Sequence, residues 1–311
     1  MQLIQRSYSG VHDQQRMMAL VYAQPKDNFH IVALPYRFSS WAFDNPANIA
    51  LWENEQGELL AWAVLQTPFW AIDYDYHPAA PATIHAQILT WAERQAQATL
   101  GSPYARPIWF VNVFDWQTAR QRDLETQGFF SVADCGEDSW TKVLLQHQRD
   151  QQRAAQPLPT GYTLRALAGI QEVAAYVSLH RAVFESENMT EAWRARTLQH
   201  PAYQPDLDLV IEDPAGQLAA FCIGWFAQNG IDGQPSGQIE PMGVRADLRG
   251  QGLGRAILNE TVRRLYAKGA DHVVVETDNY RNAAFALYEA AGFQVRETVL
   301  VFRKDAEKSI L

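Results

Sequence analysis

Between residues 253 and 268 the apolar positions Leu253, Ile257, Leu258, Val262 and Leu265 recur at helical spacing, and Gly269 supplies the stop. The next segment, 272–277, carries Val273, Val274 and Val275 in succession, as expected of a strand covered on both faces. A second helix is predicted over 282–291, closed by Gly292, and a last strand over 294–302. Upstream, two β-rich runs within 209–225 flank the turn Asp213-Pro214-Ala215-Gly216, and a helix is predicted near 170–184. Each half of the chain reads as strand, helices, hairpin strands, helix, strand, helix, strand. This is a mixed α/β layout, not a repeating βαβ series.

The two halves share features at nearly constant spacing. Leu3-Ile4-Gln5-Arg6 before a helix parallels Thr163-Leu164-Arg165-Ala166. The hairpin around Gly57 parallels that around Gly216, and Leu124-Glu125-Thr126-Gln127-Gly128-Phe129 parallels Tyr288-Glu289-Ala290-Ala291-Gly292-Phe293. The offsets are 161 (Leu3 to Leu164), 159 (Gly57 to Gly216) and 164 (Leu124 to Tyr288), in one order along the chain. We read a duplicated domain. The glutamine-rich, proline-ended run at 146–159 lacks apolar periodicity and marks the junction. The expected division is a domain at 1–147, a linker at 148–159 and a domain at 160–311.

Composition narrows the function. The 311 residues suffice for two cores, and 26 Lys+Arg against 35 Asp+Glu give a formal net charge of -9, which disfavours a general nucleic-acid binder. Two widely separated cysteines, Cys135 and Cys222, exclude a disulfide framework and a four-cysteine zinc site and fit a reducing compartment. No secretory signal or long apolar span is present, so a cytoplasmic protein without a membrane segment is expected. His180 and His272 stand alone and read as structural; no metal site is expected. Cys222 lies in an apolar strand and reads as a buried thiol.

The richest chemistry lies in Glu240-Pro241-Met242-Gly243-Val244-Arg245-Ala246-Asp247-Leu248-Arg249-Gly250-Gln251-Gly252-Leu253-Gly254-Arg255. A strand ends, a short loop follows and a helix opens near Leu253. Gly250, Gly252 and Gly254 remove Cβ atoms where backbone N–H groups meet the positive end of a helix, and Arg249 and Arg255 add full charges suited to phosphate oxygens. A Walker A loop would require Lys-Ser/Thr after Gly254, where Arg255-Ala256 stands. A dinucleotide fingerprint would require a different glycine spacing, although Glu276 lies about 20 residues on. A tight loop with glycines serving only the turn is the remaining reading.

Arg249-x-x-Gly252-x-Gly254 resembles motif A of the GCN5-related N-acetyltransferases (GNAT superfamily), and Asn282 to Phe293, with its Leu287-Tyr288 pair and Gly292-Phe293, resembles motif B. The strong resemblance covers about 237–303. It implies two tandem GNAT-type acyl-CoA N-acyltransferase domains, the N-terminal one degenerate, in a layout like that of the mycothiol-synthase type. It further implies acetyl-CoA as cofactor, an amine as second substrate, and a monomer or homodimer. By the same resemblance Met242 and Val244 pair with the pantetheine arm, a backbone N–H near Val244 serves the oxyanion, and Arg249, Gly250, Gln251, Gly252, Leu253, Gly254 and Arg255 hold the pyrophosphate. Tyr288 would protonate the leaving thiolate; Glu240 is the candidate base, with a solvated or structural glutamate the competing reading. The family's usual motif B asparagine is Arg281 here, so Asn279 and Asn282, which flank it, both stand as cofactor contacts. A non-catalytic acyl-CoA-sensing or protein-binding module is the alternative function.

In the first half, Pro81-Ala82-Thr83-Ile84-His85-Ala86 aligns with the glycine turn and Leu124 with Tyr288. Without glycines, and with Pro81 lacking an N–H, this half is expected to have lost the cradle.

Overall fold

The computed structural model describes residues 2–153 and 156–306; residues 154 and 155 of the expected linker and the end of the expected second domain, 307–311, lie outside them. In chain order the elements are β1 (Ile4–Ser7), α1 (Val11–Ala23), α2 (Leu34–Phe38), β2 (Ile49–Glu53), β3 (Leu59–Gln66), β4 (Ala71–Tyr76), α3 (Ile84–Ala98), β5 (Ile108–Phe114), α4 (Thr118–Thr126), β6 (Phe130–Ser131) and β7 (Lys142–Gln148). They continue as β8 (Thr163–Ala166), α5 (Val173–Phe184), α6 (Glu191–Gln199), β9 (Asp208–Glu212), β10 (Leu218–Ala227), β11 (Ser236–Val244), α7 (Leu253–Ala267), β12 (His272–Asp278), α8 (Asn282–Ala291) and β13 (Gln294–Asp305).

Two compact units emerge, and they differ from the expected division. Among the described residues, one comprises 2–31, 40–142 and 297–306; the other comprises 32–39, 143–153 and 156–296. In the first the strand order is β1-β2-β3-β4-β5-β13, with β6 beside β13; in the second it is β7-β12-β11-β10-β9-β8. Matching β1 with β8, β2 with β9, β3 with β10, β4 with β11 and β5 with β12 makes the two orders the same, as a duplication requires. The sixth strand of each unit comes from the other half of the sequence.

Core packing accompanies that exchange. In β7, Val143 and Leu145 join the core of the second unit, packing with Val273 and Val275 of β12 and Phe293, whereas Phe302 of β13 joins the core of the first with Val111 and Val113 of β5. Full burial of each such side chain contributes about 1.5–3 kcal/mol. The run at 146–159 therefore opens inside a strand, because β7 continues to Gln148 before a short turn at Arg149–Gln151. The segment 32–39 also belongs to the second unit. Ala33 N–H donates to Gln238 Oε1 (3.1 Å), Trp193 Nε1 to the Tyr36 carbonyl (3.2 Å), and Arg196 Nε to the Ser39 carbonyl (2.9 Å).

The predicted helices at 253–268 and 282–291 appear as α7 and α8, and the valine run as β12. Leu253, Ile257, Leu258, Val262 and Leu265 of α7 are all buried, the face the periodicity marked. Among the described residues no helix is long and apolar enough to cross a membrane.

Candidate active site

The second unit opens where two parallel strands part. β11 pairs with β12 from Ser236 opposite His272 to Ile239 opposite Val275, and the paired residues end there. β11 continues on its other side against β10, with Met242 opposite Cys222 and Val244 opposite Ala220. One backbone edge of Glu240–Val244 thus faces a gap, and Pro241 brings no N–H to that stretch. A strand edge of this kind can receive an extended ligand as an added strand.

Beside the gap lies a cavity of about 980 Å³, lined by Met242, Val244, the whole run Arg249–Arg255, Asn282, Leu287 and Tyr288 among others. Gly250 and Gly252 hold the left-handed backbone (φ +81° and +85°) that turns the loop into α7. Gly254 serves close packing: a Cβ there would stand 3.3 Å from Val244 Cγ2 and 3.4 Å from Leu287 Cδ2. The first helical bond of α7 runs from Ala256 N–H to the Gly252 carbonyl (3.0 Å). The preceding N–H groups, at Leu253, Gly254 and Arg255, have no carbonyl upstream within the helix.

The lining has an uneven charge. Arg249, Arg255 and Arg281 contribute three guanidinium groups, and among the described lining residues there is no aspartate or glutamate. In a protein of net charge -9 this is a local cationic cleft at a helix N-terminus, a setting for an anion. Arg249 Nε donates to the Val244 carbonyl (3.3 Å), and Arg281 Nε meets Asp278 Oδ2 at 2.8 Å.

Tyr288 reaches the cavity from the second turn of α8 and is 8% exposed. Burial above all raises its phenol well above the usual value, with the nearby Glu240 carboxylate adding to the shift. It holds its proton at neutral pH. Glu240 is half-buried on β11, and its carbonyl accepts a hydrogen bond from Trp225 Nε1 (2.7 Å). It is absent from the described lining, and its charge acts on the Tyr288 phenol. Burial pushes the Cys222 thiol up to about 12, which leaves it an inert core group, and His272 bonds Ser236 Oγ (3.1 Å) as a structural residue.

Of the residues singled out from the sequence, Met242, Val244, Arg249, Gly250, Gln251, Gly252, Leu253, Gly254, Arg255, Asn282 and Tyr288 share this one cavity; Asn279 and Glu240 do not line it. Of the two flanking asparagines, the geometry brings only Asn282 to the site. Sequence reasoning passed over Gln156 and Val183, and noted Arg281 only as a departure from motif B. Arg281 could have been found from its charge at the position where motif B carries asparagine. Gln156 carries no local signal, being one glutamine in a polar run.

Residues 173–293 match the model of the Acetyltransferase (GNAT) family. A mycothiol acetyltransferase of Streptomyces avermitilis is 31% identical over 155 residues, which is 48% of this chain and 48% of the relative. The chain thus spans about half the length of that curated relative. A tandem GNAT protein from the clavulanic acid biosynthesis pathway superposes with a TM-score of 0.67 at 13% identity, covering 99% of this chain and 100% of its own. A GCN5-related N-acetyltransferase from Sphaerobacter thermophilus superposes with a TM-score of 0.63 at 20% identity, covering 99% and 97%. The fold is the tandem GNAT fold.

Proposed function

We propose, from the premise that this tandem GNAT chain carries its acetyltransferase family segment at 173–293, that the second unit is an acetyl-CoA-dependent N-acetyltransferase. Its acceptor is a primary amine of a small molecule or peptide, and the transfer is direct, with both substrates bound together. The observation that carries the reading is the cationic glycine turn at the start of α7, opening into the same cavity as the Tyr288 phenol.

The residues fit a coenzyme A ligand. The turn offers main-chain donors and arginines for a diphosphate, and the edge of β11 from Glu240 to Val244 offers backbone groups to a pantetheine arm. Acetyl-CoA supplies the activated acetyl group as a thioester. Tyr288, protonated at neutral pH, donates its Oη proton to the departing sulfur. Glu240 accepts the amine's proton through a water. Backbone N–H groups near Val244 serve the developing oxyanion. Direct transfer is supported by the absence of a serine, threonine, cysteine or lysine from the described cavity lining, and by the inertness of Cys222.

The test is release of coenzyme A thiol from acetyl-CoA across a panel of primary amines, with isothermal titration of coenzyme A alongside. Turnover with at least one amine is expected. Tight coenzyme A binding without turnover on any amine would turn the assignment toward a sensing module, and no binding would end it.

A further inference from the structure

Gln156 stands apart from the other lining residues because it comes from the stretch between β7 and β8, far from the glycine turn in sequence. It nevertheless lines the same cavity. A methyl group built on Gly252 would stand 2.9 Å from Gln156 Nε2 and 3.8 Å from its Cδ. The carboxamide therefore lies close against Gly252, the residue that caps α7. Glycine at 252 serves the left-handed backbone and also clears the space this carboxamide occupies.

We propose that Gln156 is a further coenzyme A-binding residue whose side-chain N–H donates to the diphosphate. The inference rests on the coenzyme A reading above and adds to it a donor from outside both motifs. Three features support it. The turn and helix start supply main-chain donors, and Gln156 Nε2, from a separate stretch of the chain, supplies a side-chain donor beside them. A neutral carboxamide can satisfy an anion's oxygen without adding to the crowding of Arg249, Arg255 and Arg281. A side chain held over the N-terminus of a long helix is placed where negative charge is favoured.

The experiment measures coenzyme A affinity of the full-length protein by isothermal titration for wild type, Gln156→Ala, Gln156→Glu and Gln156→Lys. Turnover is measured in parallel with acetyl-pantetheine, which lacks the diphosphate and the nucleotide. Loss of one hydrogen bond to a charged group predicts about a tenfold rise in Kd for Gln156→Ala. Gln156→Glu should weaken binding about tenfold further through like-charge repulsion, and Gln156→Lys should bind at least as tightly as wild type. Turnover of acetyl-pantetheine should be the same in all four proteins. The proposal is overturned if Gln156→Ala matches wild type while wild type binds coenzyme A, if the order Lys, Gln, Ala, Glu is lost, or if acetyl-pantetheine turnover falls in step with coenzyme A affinity. Absence of binding in wild type itself would instead overturn the coenzyme A reading along with this one.

Discussion

In the first unit β4 and β5 part after one pair, Ala71 opposite Phe110; in the second, β11 and β12 part after four. Both gaps are flanked by a helix following the first strand and a helix following the second. What fills them differs. In the first unit His85 of α3 bonds Asp123 Oδ2 (2.8 Å) and the Tyr74 hydroxyl (2.9 Å), while Arg120 of α4 lies 4.7 Å over the Tyr76 ring and donates to the Tyr76 hydroxyl (3.2 Å). Arg120 also sits 3.7 Å from both Asp75 and Asp27, and Asn28 donates to Asp75 Oδ2 (3.2 Å). The corresponding space of the second unit is a cavity of about 980 Å³.

The turn before each helix sets the difference. α7 starts at a left-handed glycine beside two arginines, whereas α3 starts after Pro81-Ala82-Thr83, with Thr83 as its cap and no side-chain cap bond. The expected equivalent, Pro81–Ala86, straddles this turn and the first residues of α3. One helix later the two units match at one position and one backbone bond. Leu124 and Tyr288 are each the seventh residue of their helices, and Phe129 N–H donates to the Leu124 carbonyl as Phe293 N–H does to Tyr288 (3.0 Å in both). Leu124 is fully buried, so the place of the phenol holds an apolar core residue. We infer that the first unit kept the frame and exchanged its ligand space for an internal polar plug.

Four measurements would break or sharpen this contrast. Gly252→Glu puts a carboxylate and a strained side chain into the phosphate end; coenzyme A affinity should fall by about three orders of magnitude, for a like-charge cost near 4 kcal/mol. Titration of wild type should show one coenzyme A per chain, and a second site surviving in Gly252→Glu would place binding in the first unit. Arg120→Ala leaves Asp75 buried without its cation and should destabilise the first unit by about 3 kcal/mol in urea denaturation, without creating coenzyme A binding. Tyr288→Phe should lower turnover about a hundredfold, near 2.7 kcal/mol, with coenzyme A affinity within a factor of about two of wild type. An unaltered rate would remove the phenol from the mechanism.

The smallest effect concerns pH. Burial, with the nearby Arg194 and Arg181, holds the His180 imidazole down at about 3, where its ring stacks on Phe221 (5.5 Å, 20°). A folded-state value below the unfolded one means the unfolded chain binds the extra proton. The stability is complete above about pH 6.5 and is lost as pH falls toward 3. His180→Phe should flatten that dependence between pH 6 and 4 by about 1.4 kcal/mol per pH unit. A parallel curve would show that the ring does not stay neutral.

Local chemistry made α7, β12 and α8 readable. Periodicity of 3.6 marked the buried face of α7, glycines marked the stops, and the arginine-glycine turn needed no partner to be recognised. The plug was not readable, because Asn28, Asp75, His85, Arg120 and Asp123 lie in four separate segments and are ordinary polar residues until the fold gathers them. Gln156 was hidden for the same reason.

Short-range pattern sufficed for the duplication, the mixed α/β order and the position of the arginine-glycine turn, since each is written in residues within a few turns or strands of one another. Which strand completes each sheet was settled only by folding: β7 and β13 each carry a short continuous apolar run, and pairing between distant segments depends on which core has room for Val143 and Leu145 and which for Phe302. Folding likewise decided which of two similar gaps stays open, because filling it is a matter of side chains meeting across space.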